Sequence, residues 1–146
     1  MADQAGISRE FRVRRCIMGR LQPGEDVLRG LEAAAAAHGV RTGTLGFLGA
    51  IKGARLGFFD QEGRSYKMIA LNGHLELASG VGNISLRDGK VFVHAHVTVS
   101  DRAGATWGGH LMEGSEVFAC EYHLLDLEGE ELQRLPDPAT GLTLWG

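Results

Sequence analysis

The chain has only two cysteines and three prolines in 146 residues, and no apolar run approaches the roughly 20 residues a membrane helix needs. Cys16 and Cys120 have no metal-type spacing and no disulfide framework, which points to a reducing compartment. A basic excess is also missing: 15 Lys and Arg stand against 18 Asp and Glu, for a net charge of -3. Phosphate-backbone binding works by counterion release and normally needs a basic face, so bulk charge disfavours a dedicated DNA binder. The opening stretch MADQAGISREFRVRR lacks the apolar core of a secretory signal, and the expected location is the cytoplasm with no membrane partner.

Glycine, by contrast, is plentiful at 22 residues. Many glycines among short apolar runs suggest turns, bulges and close backbone approach in a β-rich fold. The stretch EFRVRRCIMGRL begins with alternation and reads as a strand over about residues 10–18. QPGEDVLRGLEAAAAAHGV predicts the one long helix, with Pro23 at its first position, Glu25 and Asp26 in its first turn and Gly39 just past its end. Residues 42–60 read as two strands or one bent strand, and QEG at 61–63 as a hairpin turn. RSYKMIAL follows as a strand, and Asn72-Gly73 carries the strongest short hairpin signal. RDGK at 87–90 is another turn, and EVFACEYHLLDL the last clear strand before a polar tail holding Pro136 and Pro138. The expected class is α+β: one main helix packed on a twisted antiparallel sheet or half-closed barrel. A single domain spans 1–146, with its core over about 10–127 and a tail over 128–146.

Three of the six histidines fall in VFVHAHVTVSDRAGATWGGHL, residues 91–111. On a strand, His94 and His96 point to one face and the intervening valines and alanine to the other. DRAG fits a three-residue hairpin loop, Arg102-Ala103-Gly104, with Gly104 left-handed. That register sets His96 opposite His110 and His94 opposite Met112, so three imidazoles share one face. Three nitrogen ligands suit Zn(II), and less exclusively another divalent transition metal, with a position left open for water or substrate. The alternative is a hydrogen-bonded polar cluster.

Other residues carry weaker signals. Glu121 and His123 share a face of the last strand, and Glu121 is the candidate catalytic residue, as a general acid/base, or else a solvated strand glutamate. His38 ends the helix, His74 follows the Asn72-Gly73 turn, and Trp107 walls a pocket or packs in a core or interface. Arg20 and Arg64 are possible anion anchors. Arg9, Arg12, Arg14, Arg15 and Arg20 form a basic cluster suited to phosphate, or equally to an edge strand protected by charge.

LQPGEDVLRGLEAAAAAHGV, YKMIALNGHLEL, HAHVTVSDRAGATWGGHLMEG and FACEYHLL occur in the order of the Plants and Prokaryotes Conserved (PPC) domain. The chain resembles that family over about residues 10–127. The resemblance implies a compact α+β domain that assembles into homotrimers. His94, His96 and His110 occupy positions similar to a metal-binding set of the prokaryotic branch. Plant members join the domain to AT hooks and bind DNA, but the Arg-Gly-Arg-Pro core of an AT hook is absent here. The leading expectation is a homotrimer whose three-histidine metal site binds or processes a small anionic metabolite. The rivals are a DNA-binding or transcription-associated protein, and an assembly module that acts through protein partners.

Overall fold

The computed structural model describes residues 6–146; positions 1–5 of the N-terminal stretch read above lie outside them. Chain order runs β1 (Arg12–Leu21), α1 (Val27–Ala37), β2 (Gly43–Asp60), β3 (Ser65–Arg87), β4 (Lys90–Ser100), β5 (Thr106–Leu111), β6 (Val117–Glu128), β7 (Arg134–Pro136) and β8 (Thr143–Trp145). Six strands form a sheet in the order β1-β6-β2-β3-β4-β5, every pairing antiparallel, and β5 returns to pair with β2. The strands β2 to β5 thus close into a four-stranded barrel, with β6 and β1 extending from it. This is the expected α+β architecture with one helix.

Closure depends on the length of β2. Its first half pairs with β6 from Gly43 to Ile51, and its second half meets β5 at Leu56 and Gly57. The 42–60 segment is therefore one bent strand, and its register slips beside Phe47 and again beside Ile51. At the second slip Lys52 stands opposite both Gly73 and His74. The hairpin turn expected at Asn72-Gly73 does not form: Asn72 pairs with Gly53, and Gly73-His74 make a bulge inside the 23-residue β3. The flanking ladder continues on both sides, and pairing with β2 overrides the local turn preference.

The barrel interior takes the alternating face of β4: Val93, Ala95, Val97 and Val99 are buried. Helix α1 packs over β4 and buries Val27, Leu31 and Ala35, one residue per turn. Its start lies later than the sequence suggested. Asp26 is the N-cap, accepting from Arg29 N at 2.9 Å, while Pro23 and Gly24 form a turn ahead of the helix and no acidic residue occupies its first turn. Asp26 also accepts from the backbone of Gly114 at 2.6 Å and Ser115 at 3.0 Å, tying the helix to the β5–β6 loop. Gly39 has φ 67° just past the C-cap, as expected.

The tail carries two short strands of its own. β7 and β8 pair as a small hairpin, and Leu86 N donates to Leu132 O at 2.9 Å, which holds the segment against the end of β3. No helix among the described residues is long and apolar enough to cross a membrane.

Candidate metal centre

The site begins with a turn. Asp101 N donates to Ala105 O and Gly104 N to Asp101 O, both at 3.0 Å, and Gly104 has φ 81°. A left-handed glycine closes a three-residue loop and fixes the register of both arms. Asp101 reinforces it by accepting from Ala103 N and Ala105 N. The ladder then runs Ser100–Thr106, Val99–Trp107, Thr98–Gly108, Val97–Gly109 and His96–His110.

The expected pair His94–Met112 does not form. The β4–β5 ladder ends at His96–His110, and β5 crosses to β2: His110 pairs with Gly57, and Met112 N donates to Arg55 O. His94 pairs instead with Asn83 on β3. The three imidazoles still converge on the outer face of the barrel. Ring centroids are 5.1 Å apart for His94–His96 and His94–His110, and 5.5 Å for His96–His110. One ring nitrogen from each can be chosen so that all lie within 4.8 Å of one another.

Gly57 makes room for this cluster. A Cβ there would sit 2.8 Å from Tyr66 Cδ1 and 3.0 Å from Met112 Sδ. Without it, the Tyr66 ring lies over His110 at 4.8 Å with a 32° tilt. The Nδ1 atom of His110 is buried and has no hydrogen-bond partner among the described residues.

Arg134 is the residue that sequence reasoning missed. It is 8% exposed and lies across the outer face of β3 and β4. Its Nε donates to Ser85 Oγ at 2.9 Å, Nη2 to Asn83 Oδ1 at 2.8 Å and Nη1 to Thr143 O at 3.1 Å. Nη2 also stands 3.4 Å from His94 Nδ1. A guanidinium can only donate, so Nδ1 accepts in that contact. The Phe92 and Trp145 rings flank the cation at 5.0 and 5.7 Å. Burial, and after it the charge of Arg134, pushes the His94 pKa down to about 4; burial likewise lowers that of His110. Both effects favour neutral imidazoles, the form that binds metal.

Beside the histidines lies a cavity of about 330 Å³, walled by Tyr66, Phe92, Leu142 and Leu144 and carrying Arg64, Arg87 and Arg134. Arg64, marked from sequence as an anion anchor, is thus at the site. Arg20 is not: it pairs in the ladder with Glu121 on β6. Glu121, the candidate proton carrier, is exposed and opens onto a different groove, with Met18, Leu48, Val81 and His123. His123 lies in the same lateral row as His96, separated from it by Gly46 and Val81. Trp107 and His74 line a third groove near the turn end, with Asp101 and Arg102. Cys120 is buried, with its thiol pKa raised to about 11, and Cys16 is exposed; neither adjoins the histidines.

The basic cluster is a charged edge. β1 is the terminal strand of the sheet; Arg9 pairs with Glu130 and Arg15 with Asp126, each at 2.9 Å.

Comparison with known proteins agrees with this architecture. Solved structures similar to the chain include the metal-containing protein from Archaeoglobus fulgidus, 38% identical with a TM-score of 0.91 over 96% of this chain and 99% of that one. A plant- and prokaryote-conserved protein from Pyrococcus horikoshii is also 38% identical, with a TM-score of 0.91 over 97% of each chain. A third, from Ralstonia eutropha JMP134, carries DNA binding as a provisional role; it is 27% identical, with a TM-score of 0.79 over 88% of this chain and 89% of that one. Among curated proteins, the bifunctional protein GlmU of Synechococcus sp. (strain JA-2-3B'a(2-13)) is 37% identical over 124 residues, which is 84% of this chain and 18% of that protein. The chain therefore spans less than a fifth of the length of this relative. Residues 8–128 match the Plants and Prokaryotes Conserved (PCC) domain, and the chain belongs to that family.

Proposed function

We propose that the domain holds a divalent transition metal, zinc in the first instance, on His94, His96 and His110, and that the centre binds or processes a small anionic metabolite. The observation that carries this reading is the buried Nδ1 of His110, left without a partner among the described residues and set beside two further imidazoles. A buried polar atom without a partner costs about 1–3 kcal/mol, and a metal ion would supply the missing interaction. A purely hydrogen-bonded cluster explains the site less well, because among the described residues no hydrogen bond joins two of the three imidazoles. The similar Archaeoglobus protein is described as metal-containing, which supports the same reading.

Three neutral nitrogen donors fit zinc and leave a coordination position for an oxygen ligand. A bound metal would act there as a Lewis acid. The chain itself contributes the rest: Arg134 holds His94 in place, Tyr66 covers His110, and the three arginines favour an anion. Within one chain Glu121 faces another groove, so its role as proton carrier would require a second copy to bring it alongside the histidines. Homotrimer formation is proposed with it. The exposed Met18, Leu48 and Val81 on one sheet face support burial against another copy.

Elemental analysis of untagged protein supplemented with zinc tests the metal reading. The expected result is close to one metal per chain in the wild type and none in His94→Ala. Background metal in both would overturn it. Light scattering tests the trimer, and a monomer at micromolar concentration would exclude it.

A DNA-binding role rests on the exposed Arg12, Arg14 and Arg20 of β1. It predicts duplex binding that weakens steeply with salt. No mobility shift at low salt would remove it.

A further inference from the structure

The cavity beside the histidines has a distinctive charge balance. Arg64, Arg87 and Arg134 line it, and among the described residues no aspartate or glutamate does. Arg134 is almost fully buried, yet among the described residues every partner it has is neutral: Ser85, Asn83, Thr143 and His94. An isolated buried charge is expensive, and proteins normally place a counter-charge beside it. These contacts occupy four of the guanidinium's five N–H groups, which leaves one on Nη1. Arg134 and the walls Gly141 to Leu144 also lie beyond residues 8–128, the part that matches the family. The histidines, Arg64 and Arg87 are thus family sequence, and the tail adds the buried cation Arg134.

The geometry points to Arg134 as the docking group for the carboxylate of a small ligand, a 2-hydroxy or 2-oxo acid whose second oxygen faces the histidines. A planar carboxylate matches a guanidinium better than any neutral group. The open N–H is on Nη1, and Nη2 of the same guanidinium stands 3.4 Å from His94 Nδ1, so an anion docked on Nη1 sits on the planar group that touches the imidazole cluster. The next oxygen along a short acid is then the one that can reach it. Phe92, Leu142 and Leu144 offer apolar contact to a short carbon chain, and about 330 Å³ is at the small end of ligand cavities. Arg64 and Arg87 add attraction at the same cavity. The placement of the second oxygen rests on the metal reading above; the carboxylate contact does not.

The test uses the full-length protein, with lactate and its neutral amide, lactamide, as probes. Binding is followed by ligand-observed NMR after metal removal by chelation, and again after zinc addition. Lactate should bind the metal-free protein, lactamide should not, and zinc should tighten lactate binding. Arg134→Met should weaken lactate at least tenfold, as loss of a charge-assisted hydrogen bond requires. Equal binding of lactate and lactamide, or no lactate binding in either metal state, would overturn the proposal. So would wild-type affinity in a folded Arg134→Met. If that variant does not fold, Arg64→Gln with Arg87→Gln serves: affinity should fall about threefold or more, and unchanged affinity counts against the site. Lactate binding in a protein that takes up no zinc would sink the metal reading and leave the carboxylate site standing.

Discussion

His96 stands directly opposite His110 across the β4–β5 ladder, and His94 lies 5.1 Å from each ring. This relationship depends on a turn of fixed length, because side chains alternate between faces with a period of two.

Inserting one glycine after Gly104 should therefore turn His110 away from the cluster or break the ladder beside it. Bound zinc should fall from near one per chain to background, while far-ultraviolet circular dichroism keeps its β signature. Zinc retained at full occupancy would show that the turn does not set the site.

Acid should act on His94 in a definite direction. Its pKa is lower in the folded chain, about 4, than the ordinary 6.5, because of burial and the nearby Arg134. As pH falls from about 6.5 to about 4, the unfolded chain binds this proton more readily than the native one. Stability is lost across that window and is insensitive to this group above it. In the metal-free protein, the His94 ring resonances should remain those of a neutral imidazole at pH 5.5. A midpoint near 6.5 would contradict the assignment.

Asp26 links three backbone donors, Arg29 N of the helix and Gly114 N and Ser115 N of the β5–β6 loop. Asp26→Ala removes a helix cap and leaves two loop amides without their carboxylate. The expected loss is about 2–4 kcal/mol in urea unfolding. A loss comparable to that of an exposed substitution, within about 0.5 kcal/mol, would show that the loop is held elsewhere.

The two cysteines should separate cleanly in reactivity. Burial, and secondarily the charge of Glu121, holds the Cys120 thiol near 11, whereas Cys16 is exposed. Iodoacetamide at pH 8 should label Cys16 and spare Cys120 in the native protein, read by intact mass and peptide mapping. Rapid double labelling would indicate that the β6 strand opens.

Much of the hairpin was legible because its determinants are neighbours in sequence. Alternation over residues 91–100 assigns the inward valines, and DRAG sets the loop length. The same local logic failed at Asn72-Gly73. Its turn preference is weaker than the pairing of β3 with β2 on both sides, so Asn72 stays in the ladder and Gly73 joins His74 in a bulge. Pro23 and Glu25 carry local helix-start signals yet lie ahead of the helix for a similar reason. Nothing local announces that Asp26, not an earlier residue, reaches the Arg29 amide.

The sequence by itself determined that three imidazoles share one face of the β4–β5 hairpin, since alternation and turn length act over a few residues. Tertiary structure alone decided what surrounds them. Barrel closure moves β5 from β4 to β2 after His110, so Gly57 and Tyr66 meet that ring. Docking of the tail brings Arg134 to His94 from 40 residues away. Both contacts arise from long-range closure, whose partners are chosen by global packing and leave no periodic trace in the chain.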